Sequence, residues 1–238
     1  MPGTKILVLG GTGPAGICLL RELLHRKHEI VVYARSPAKI PEGLSSNPLM
    51  EVIQGDLNDT AALSTAVSKS SSIISLLGPN IKDKNIDTAL YAKFFTSLFP
   101  IMRRHGVRRI FAMGTVSIKQ PDDSFSAMRA AVIFTMSTFF SAPYKCVINV
   151  AEAFEKEGTG NGIDWTIYRI AQIPGEDDEA SWKKDRSESS KDFAGMVGEK
   201  GWSMNQKRAA LTRWLVDAAE SGADKWIGKM PVVAAGTL

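Results

Sequence analysis

Lys5-Ile-Leu-Val-Leu-Gly-Gly-Thr-Gly-Pro-Ala-Gly16 is the stretch whose reading decides the fold of this 238-residue chain. The aliphatic run at 6–9 stops abruptly in glycines, as a buried parallel strand does. Apolar residues then recur at Ile17, Leu19, Leu20, Leu23 and Leu24, a helical spacing that runs to about Arg26. The glycines therefore occupy a strand-to-helix turn, with Gly10, Gly13 and Gly16 spaced G-x-x-G-x-x-G. A missing Cβ permits the tight turn, lets backbone approach a pyrophosphate and allows the helix to pack closely on the strand. The free N–H groups and positive dipole end of that helix favour an anion, and Pro14 suits its first turn. A plain structural turn can carry the same glycines, so the remainder of the chain decides between the two.

Beyond the turn the chain alternates regularly. Strands are predicted at 29–34, 50–54, 72–77, 108–113 and 164–170, with a short one at 225–229. Helices are predicted at 60–68, 86–104, 125–140, 144–156 and 205–221, and polar loops fall at 41–48 and 80–85. This is the pattern of an α/β, doubly wound parallel sheet (a Rossmann fold), with ligands expected at the carboxyl ends of the strands. No internal repeat or domain boundary interrupts it. The chain reads as one domain, 1–238, with a small C-terminal substrate-side portion. The segment 174–204 is polar and serine-rich, yet carries Trp182, Phe193, Met196, Trp202 and Met204. It reads either as a substrate-covering flap or as an irregular excursion packed on the core.

Composition narrows the partners. Hydrophobic residues at 44% and charged residues at 23% are ordinary for a globular protein, and the net charge of +4 is small. The basic residues are scattered, which argues against nucleic acid. Cys18 and Cys146 show no metal-ligand spacing and point to reduced thiols and a cytoplasmic location. No targeting segment is visible, and no apolar run reaches the ~20 residues that span a bilayer. No membrane partner is expected. The helix at 125–140 is apolar on nearly all faces, which core packing or a subunit interface explains; a homodimer stays open.

The end of the second strand selects the cofactor. An acidic residue there would hold a ribose 2′-hydroxyl, whereas an arginine accommodates a 2′-phosphate. This chain has Arg35, followed by Ser36 and Lys39. A guanidinium binds phosphate through two parallel N–H bonds, so the reading is NADP(H) over NAD(H). The competing reading is a solvated loop arginine.

Gly10-Gly-Thr-Gly-Pro-Ala-Gly16, Tyr33-Ala-Arg35, Gly55-Asp56, Leu76-Leu-Gly78 and Gly162-Ile-Asp-Trp-Thr-Ile-Tyr-Arg169 together resemble the atypical short-chain dehydrogenase/reductases. The branch they are most similar to is the NmrA-like and biliverdin/flavin-reductase-like NAD(P)H-binding proteins. The resemblance implies that Thr12, Gly13, Pro14 and Ala15 touch the phosphates, Arg35 the 2′-phosphate, and Asp56 and Leu57 the adenine. It also implies that Leu77, Gly78, Met113, Gly114 and Thr115 line the nicotinamide side. Asp56 reads equally well as a helix-entry turn residue.

Short-chain reductases usually set a Ser or Thr hydroxyl after the fifth strand against a Tyr-x-x-x-Lys pair. A spacing of four puts both side chains on one helical face. The lysine assists the phenol that passes a proton while the cofactor passes a hydride. By this resemblance Thr115 supplies the hydroxyl and Tyr144 the phenol. Four residues on, however, stands Ile148, and Lys145 points elsewhere on a regular helix. Three readings stay open. The chain is an NADPH-dependent reductase of a small, largely apolar or aromatic carbonyl, quinone or flavin-type substrate. Alternatively it is a non-catalytic NADP(H)-binding sensor or regulator, or a non-redox enzyme on the same fold. His25, His28 and His105 lie at helix ends, where dipole complementation accounts for them, and no metal site is expected.

Overall fold

The computed structural model describes residues 3–81, 85–188, 192–221 and 223–237. The aliphatic runs form the strands, and the amphipathic stretches between them form helices. In chain order these are β1 (Lys5–Leu9), α1 (Pro14–His25), β2 (Ile30–Ala34), α2 (Glu42–Ser45), β3 (Met50–Gln54), α3 (Thr60–Ser68), β4 (Ser70–Ser75) and α4 (Leu90–His105). After them come β5 (Arg109–Thr115), α5 (Ala127–Phe139), α6 (Ser141–Ala153), β6 (Asp164–Ile170), α7 (Glu179–Glu188), β7 (Asp192–Gly195), α8 (Arg208–Ser221) and β8 (Val232–Ala235).

The strands join one sheet in the order β3-β2-β1-β4-β5-β6-β8-β7. Every neighbouring pair is parallel except β7 with β8. The doubly wound α/β expectation therefore holds. Because β1 lies between β2 and β4, the winding reverses beside the glycine turn, which is where such sheets open a ligand crevice.

Each sheet face has its own core. On one face Phe94, Phe95, Leu98 and Phe99 of α4 pack with Phe154 and Trp165. Phe154 meets Phe95 and Phe99 edge-on at 4.8 and 5.0 Å between ring centres. On the other, Leu19, Leu20 and Leu23 of α1 meet Leu211, Leu215 and Val216 of α8. Fully burying one such side chain is worth about 1.5–3 kcal/mol, so the two layers fix the sheet between them.

Several elements depart from the sequence reading. Helix α4 begins at Leu90 rather than near 86, because Asp87 forms a turn first, its carboxylate accepting from Ala89 N. The helix expected from 144 begins at Ser141 instead, with Pro143 in its first turn, where the missing N–H has no intrahelical partner to lose. The last strand is β8, not 225–229. Residues 224–226 form a 3₁₀ turn, and Gly228 takes a φ of +69° before the chain rejoins the sheet. Within 174–204 there is regular structure. α7 starts where the Asp178 carboxylate accepts from Ser181 N, and β7 adds an antiparallel edge strand. Trp182 is the single buried residue of α7, too sparse an apolar pattern to show a period. Residues 82–84 of the loop after β4 and 189–191 of the segment 174–204 lie outside the described residues.

Candidate functional site

The β1–α1 turn is shaped by two glycines. Gly10 adopts a φ of +81°, a left-handed conformation that L side chains rarely take. A Cβ on Gly16 would collide with the Gly10 carbonyl and the Gly11 backbone, so α1 can sit this close to the turn only with glycine there. Gly13, at the N-cap of α1, is open: a Cβ would meet nothing nearer than the Gly10 oxygen at 3.9 Å. This leaves an uncluttered ridge of backbone at the positive end of α1, with Pro14 and Ala15 next along it.

Beside that ridge lies a cavity of about 320 Å³ lined by Gly10, Thr12, Tyr33, Arg35, Ser36, Lys39, Asp56 and Leu57, among others. Arg35 and Lys39 are both exposed on its rim. Tyr33 forms its floor, its hydroxyl donating to the Asp56 and Asp59 carbonyls at 2.6 and 3.1 Å. Burial, with help from the nearby Asp59 and Asp56 charges, pushes the Tyr33 phenol up to about 12. The Asp56 carboxylate accepts from Asn58 N and Asp59 N at 2.8 and 3.1 Å. It is thus a turn-closing residue as well as a wall of the cavity.

A second cavity, of about 350 Å³, opens at the ends of β4, β5 and β6. Leu77 lines both. Gly78, Met113, Gly114, Thr115 and Tyr144 line the second, together with Val132 and Met136 from α5 and Met204 from the far end of the segment 174–204. Among the described residues its polar side chains are those of Thr115, Ser117, Tyr144 and Gln172, and none of those that line it is charged at neutral pH. The Thr115 hydroxyl accepts from Ser117 N at 3.3 Å. Ile148 packs against the core instead, and Lys145 is exposed. Trp182 is remote from both cavities. It packs against His25 at 5.5 Å between ring centres, in a cluster with Cys18 and Ala209 on the α1–α8 side.

The structure thus brings Gly10, Thr12, Arg35, Ser36, Lys39, Asp56 and Leu57 to one cavity. Gly78, Met113, Gly114, Thr115 and Tyr144 come to the other, with Leu77 between them. Gly13, Pro14, Ala15 and Gly16 stand at the head of α1, outside the lining of either.

What the sequence reading missed is how the loop after Thr115 is held. Arg169 is fully buried and makes a two-pronged ion pair with Asp123, at 2.6 and 2.7 Å. It also donates to the Ile118 and Met230 carbonyls at 2.8 and 2.6 Å. Arg129, 7% exposed, donates to the Val116 and Ile118 carbonyls and reaches Asp123 at 3.0 Å. Asp123 further accepts from Gln120 N and Val197 N. Burial raises the Asp123 carboxyl, but the Arg169 bond and charge and these amides outweigh it and hold the group below its ordinary value. The signal was present: Arg169 ends an apolar strand, Arg129 sits alone in an apolar helix, and buried cations require partners.

Comparison with known proteins agrees with this geometry. The sequence matches the NAD(P)H-binding protein family over residues 10–220. A 3 beta-hydroxysteroid dehydrogenase/Delta 5-->4-isomerase from Mycobacterium tuberculosis is 34% identical over 80 residues; the match spans 31% of this chain and 20% of that protein. Among solved structures, a wide-type short-chain dehydrogenase/reductase from Veillonella parvula, in complex with NADP, superposes with a TM-score of 0.72 at 16% identity. The superposition covers 97% of this chain and 94% of that one. An anaerobillin reductase from Escherichia coli O157:H7 gives a TM-score of 0.65 at 14% identity, over 99% and 98% of the two chains. At these identities the two structures speak for the fold.

Proposed function

The chain belongs to the NAD(P)H-binding family, and from that premise we propose that it is an NADPH-dependent reductase of a small, uncharged, largely apolar or aromatic carbonyl or quinone. The observation that carries the reading is the pairing of the two cavities. One is of mixed polarity with a cationic rim, the other largely apolar with no charged side chain among its described lining residues, and they meet at Leu77.

The residues fit the cofactor. The open backbone at Gly13 and the head of α1 suit a pyrophosphate. Arg35, Ser36 and Lys39 on one rim suit a 2′-phosphate, and a guanidinium supplies it with two parallel donors. Asp56 and Leu57 would flank the adenine, and Leu77, Gly78, Met113 and Gly114 the nicotinamide end. When bound, NADPH supplies the hydride. The chain's own tasks are then to orient the substrate, exclude water and deliver a proton. Met113, Met136 and Met204 give the second cavity a pliable apolar wall, which favours uncharged substrates and keeps water out. Met204 is the part of the segment 174–204 placed to do this. Tyr144, with Thr115 beside the same cavity, is the proton donor in this reading.

Ile148 favours a second reading, a dinucleotide-binding sensor without turnover. The side chain at the family's lysine position packs into the core and has no polar atom. One experiment separates the two: NADPH and NADH binding followed by fluorescence, then NADPH oxidation against a panel of quinones, flavins and aromatic ketones. Tighter binding of NADPH with oxidation by an apolar member of the panel supports the reductase. Binding with no oxidation across the panel leaves the sensor, and equal affinity for the two nucleotides removes Arg35 from cofactor choice.

A further inference from the structure

Helix α5 is built inside out. Its one ionisable residue, Arg129, faces the core, while Met128, Phe134 and Phe139 are 62%, 65% and 68% exposed. Phe125, just ahead of the helix, is 86% exposed. From Ala130 to Ala142 no residue carries a charge. A helix apolar on nearly all faces is normally covered on all sides. Here only the inner side is covered, where Val132 packs beside Val116 and Val197, and Val132 and Met136 wall the apolar cavity.

The size of the uncovered face matters. Side chains of this kind present about 150–250 Å² each, so these four alone leave on the order of 500 Å² of apolar surface. That is near the top of the range for the largest apolar patch of a lone chain. The uncharged Ala, Ser and Thr positions between them extend the face toward the ~800 Å² that each partner buries in a standard interface.

Chemistry indicates what covers it. Helices that lie on membranes carry Lys and Arg along their polar face, and the exposed face of α5 has neither. Among the described residues no single helix is long and apolar enough to cross a bilayer, and α5 and the helical residues after it, 141–158, meet at a bend of 113°. Depletion of charge with enrichment of Phe and Met is the composition of a protein–protein interface core. Ala127, Ala131, Phe134 and Thr138, all exposed, recur at the 4-3-4 spacing by which one helix seats against another. A second copy of the chain is present whenever the first is, and two-fold pairing sets the same face against itself. We propose that α5 is the interface of a two-fold symmetric homodimer, each α5 being covered by the α5 of a second copy.

Sedimentation equilibrium of the full chain tests this. The wild type should show twice the chain mass of 25.9 kDa at micromolar concentration. Phe134→Glu should weaken the dimer about 30-fold or more, the loss expected when a central interface side chain is removed, with the circular dichroism spectrum unchanged. Thr138→Lys, at an exposed polar position, repeats the test should Phe134→Glu fold poorly. A monomeric wild type overturns the proposal, and one that also floats with phosphatidylcholine vesicles identifies a lipid surface instead. A dimer untouched by either substitution overturns it as well.

Discussion

The two cavities meet at Leu77 but are built by different rules. The one beside Arg35 gathers residues from 9–12, 33–39, 55–58, 77 and 90–91, which are the ends of the first four strands and the start of α4. Its shape comes from backbone, through Gly10 in a left-handed conformation and Gly16 where no Cβ fits. The apolar one is assembled from β4, β5, β6, α5, α6 and the approach to α8. Its Thr115–Ile118 wall is tied down by guanidinium groups from β6 and α5, converging on Asp123. The lesson is that a turn shaped by backbone is written in local sequence, whereas a wall held by buried charge depends on partners far along the chain.

Four measurements sharpen or break this contrast, the largest expected effect first. Tyr144→Phe should slow single-turnover NADPH oxidation by about 10²–10⁴, the contribution of a positioned general acid, while nucleotide affinity stays unchanged. Thr115→Val gives the competing assignment, and a Tyr144→Phe rate within about threefold of wild type removes the phenol from the chemistry.

Asp123→Ala leaves Arg169 and Arg129 buried without their counter-charge. Breaking a buried pair in this way should cost about 3–5 kcal/mol of stability, read from urea unfolding. A loss under about 1 kcal/mol, the level of a surface ion pair, would show that the network is not what holds the apolar cavity.

On the cofactor side, Arg35→Ala should remove most of the preference for NADPH over NADH. Hydrogen bonds to a charged group contribute about 1.5–3 kcal/mol, so the affinity ratio should fall roughly 10- to 150-fold, with NADH binding little altered. A preference that survives the substitution places phosphate recognition elsewhere on the rim, Lys39 being the next candidate.

The smallest effect is a pH dependence. The Asp123 carboxyl is held below its ordinary value, so its contribution is fully present above the unfolded carboxylate pKa of about 3.9. It is lost as pH falls below that point through the folded value. The thermal midpoint of the wild type should therefore drop below about pH 4, and Asp123→Asn should flatten that part of the drop. An identical acid slope in both proteins would assign the acid sensitivity to other carboxylates.

How much of this was legible depends on the range of the interactions. The glycine spacing, the strand before it and the helical periodicity of 17–24 are set within about twenty residues, and local sterics leave little choice. The same holds for Arg35 at the end of β2 and for β3 and β6, whose observed limits match those read from the aliphatic runs. The edge elements α7 and β7 and the position of β8 were not legible. Their apolar patterns are short, and pairing partners rather than periodicity define them.

The sequence by itself determined the doubly wound α/β fold, the strand-to-helix turn suited to a phosphate and the lack of a lysine one turn after Tyr144, because each is written in neighbouring residues. Only the tertiary structure decided that Trp182 packs on α1 rather than over a cavity. It alone turned Arg129 inward and the phenylalanines of α5 outward, because the Val116 and Ile118 carbonyls and Asp123 were already there to satisfy a buried guanidinium. Burying that cation with its partners fixed how α5 sits, and the apolar stripe was left to face whatever lies outside the chain.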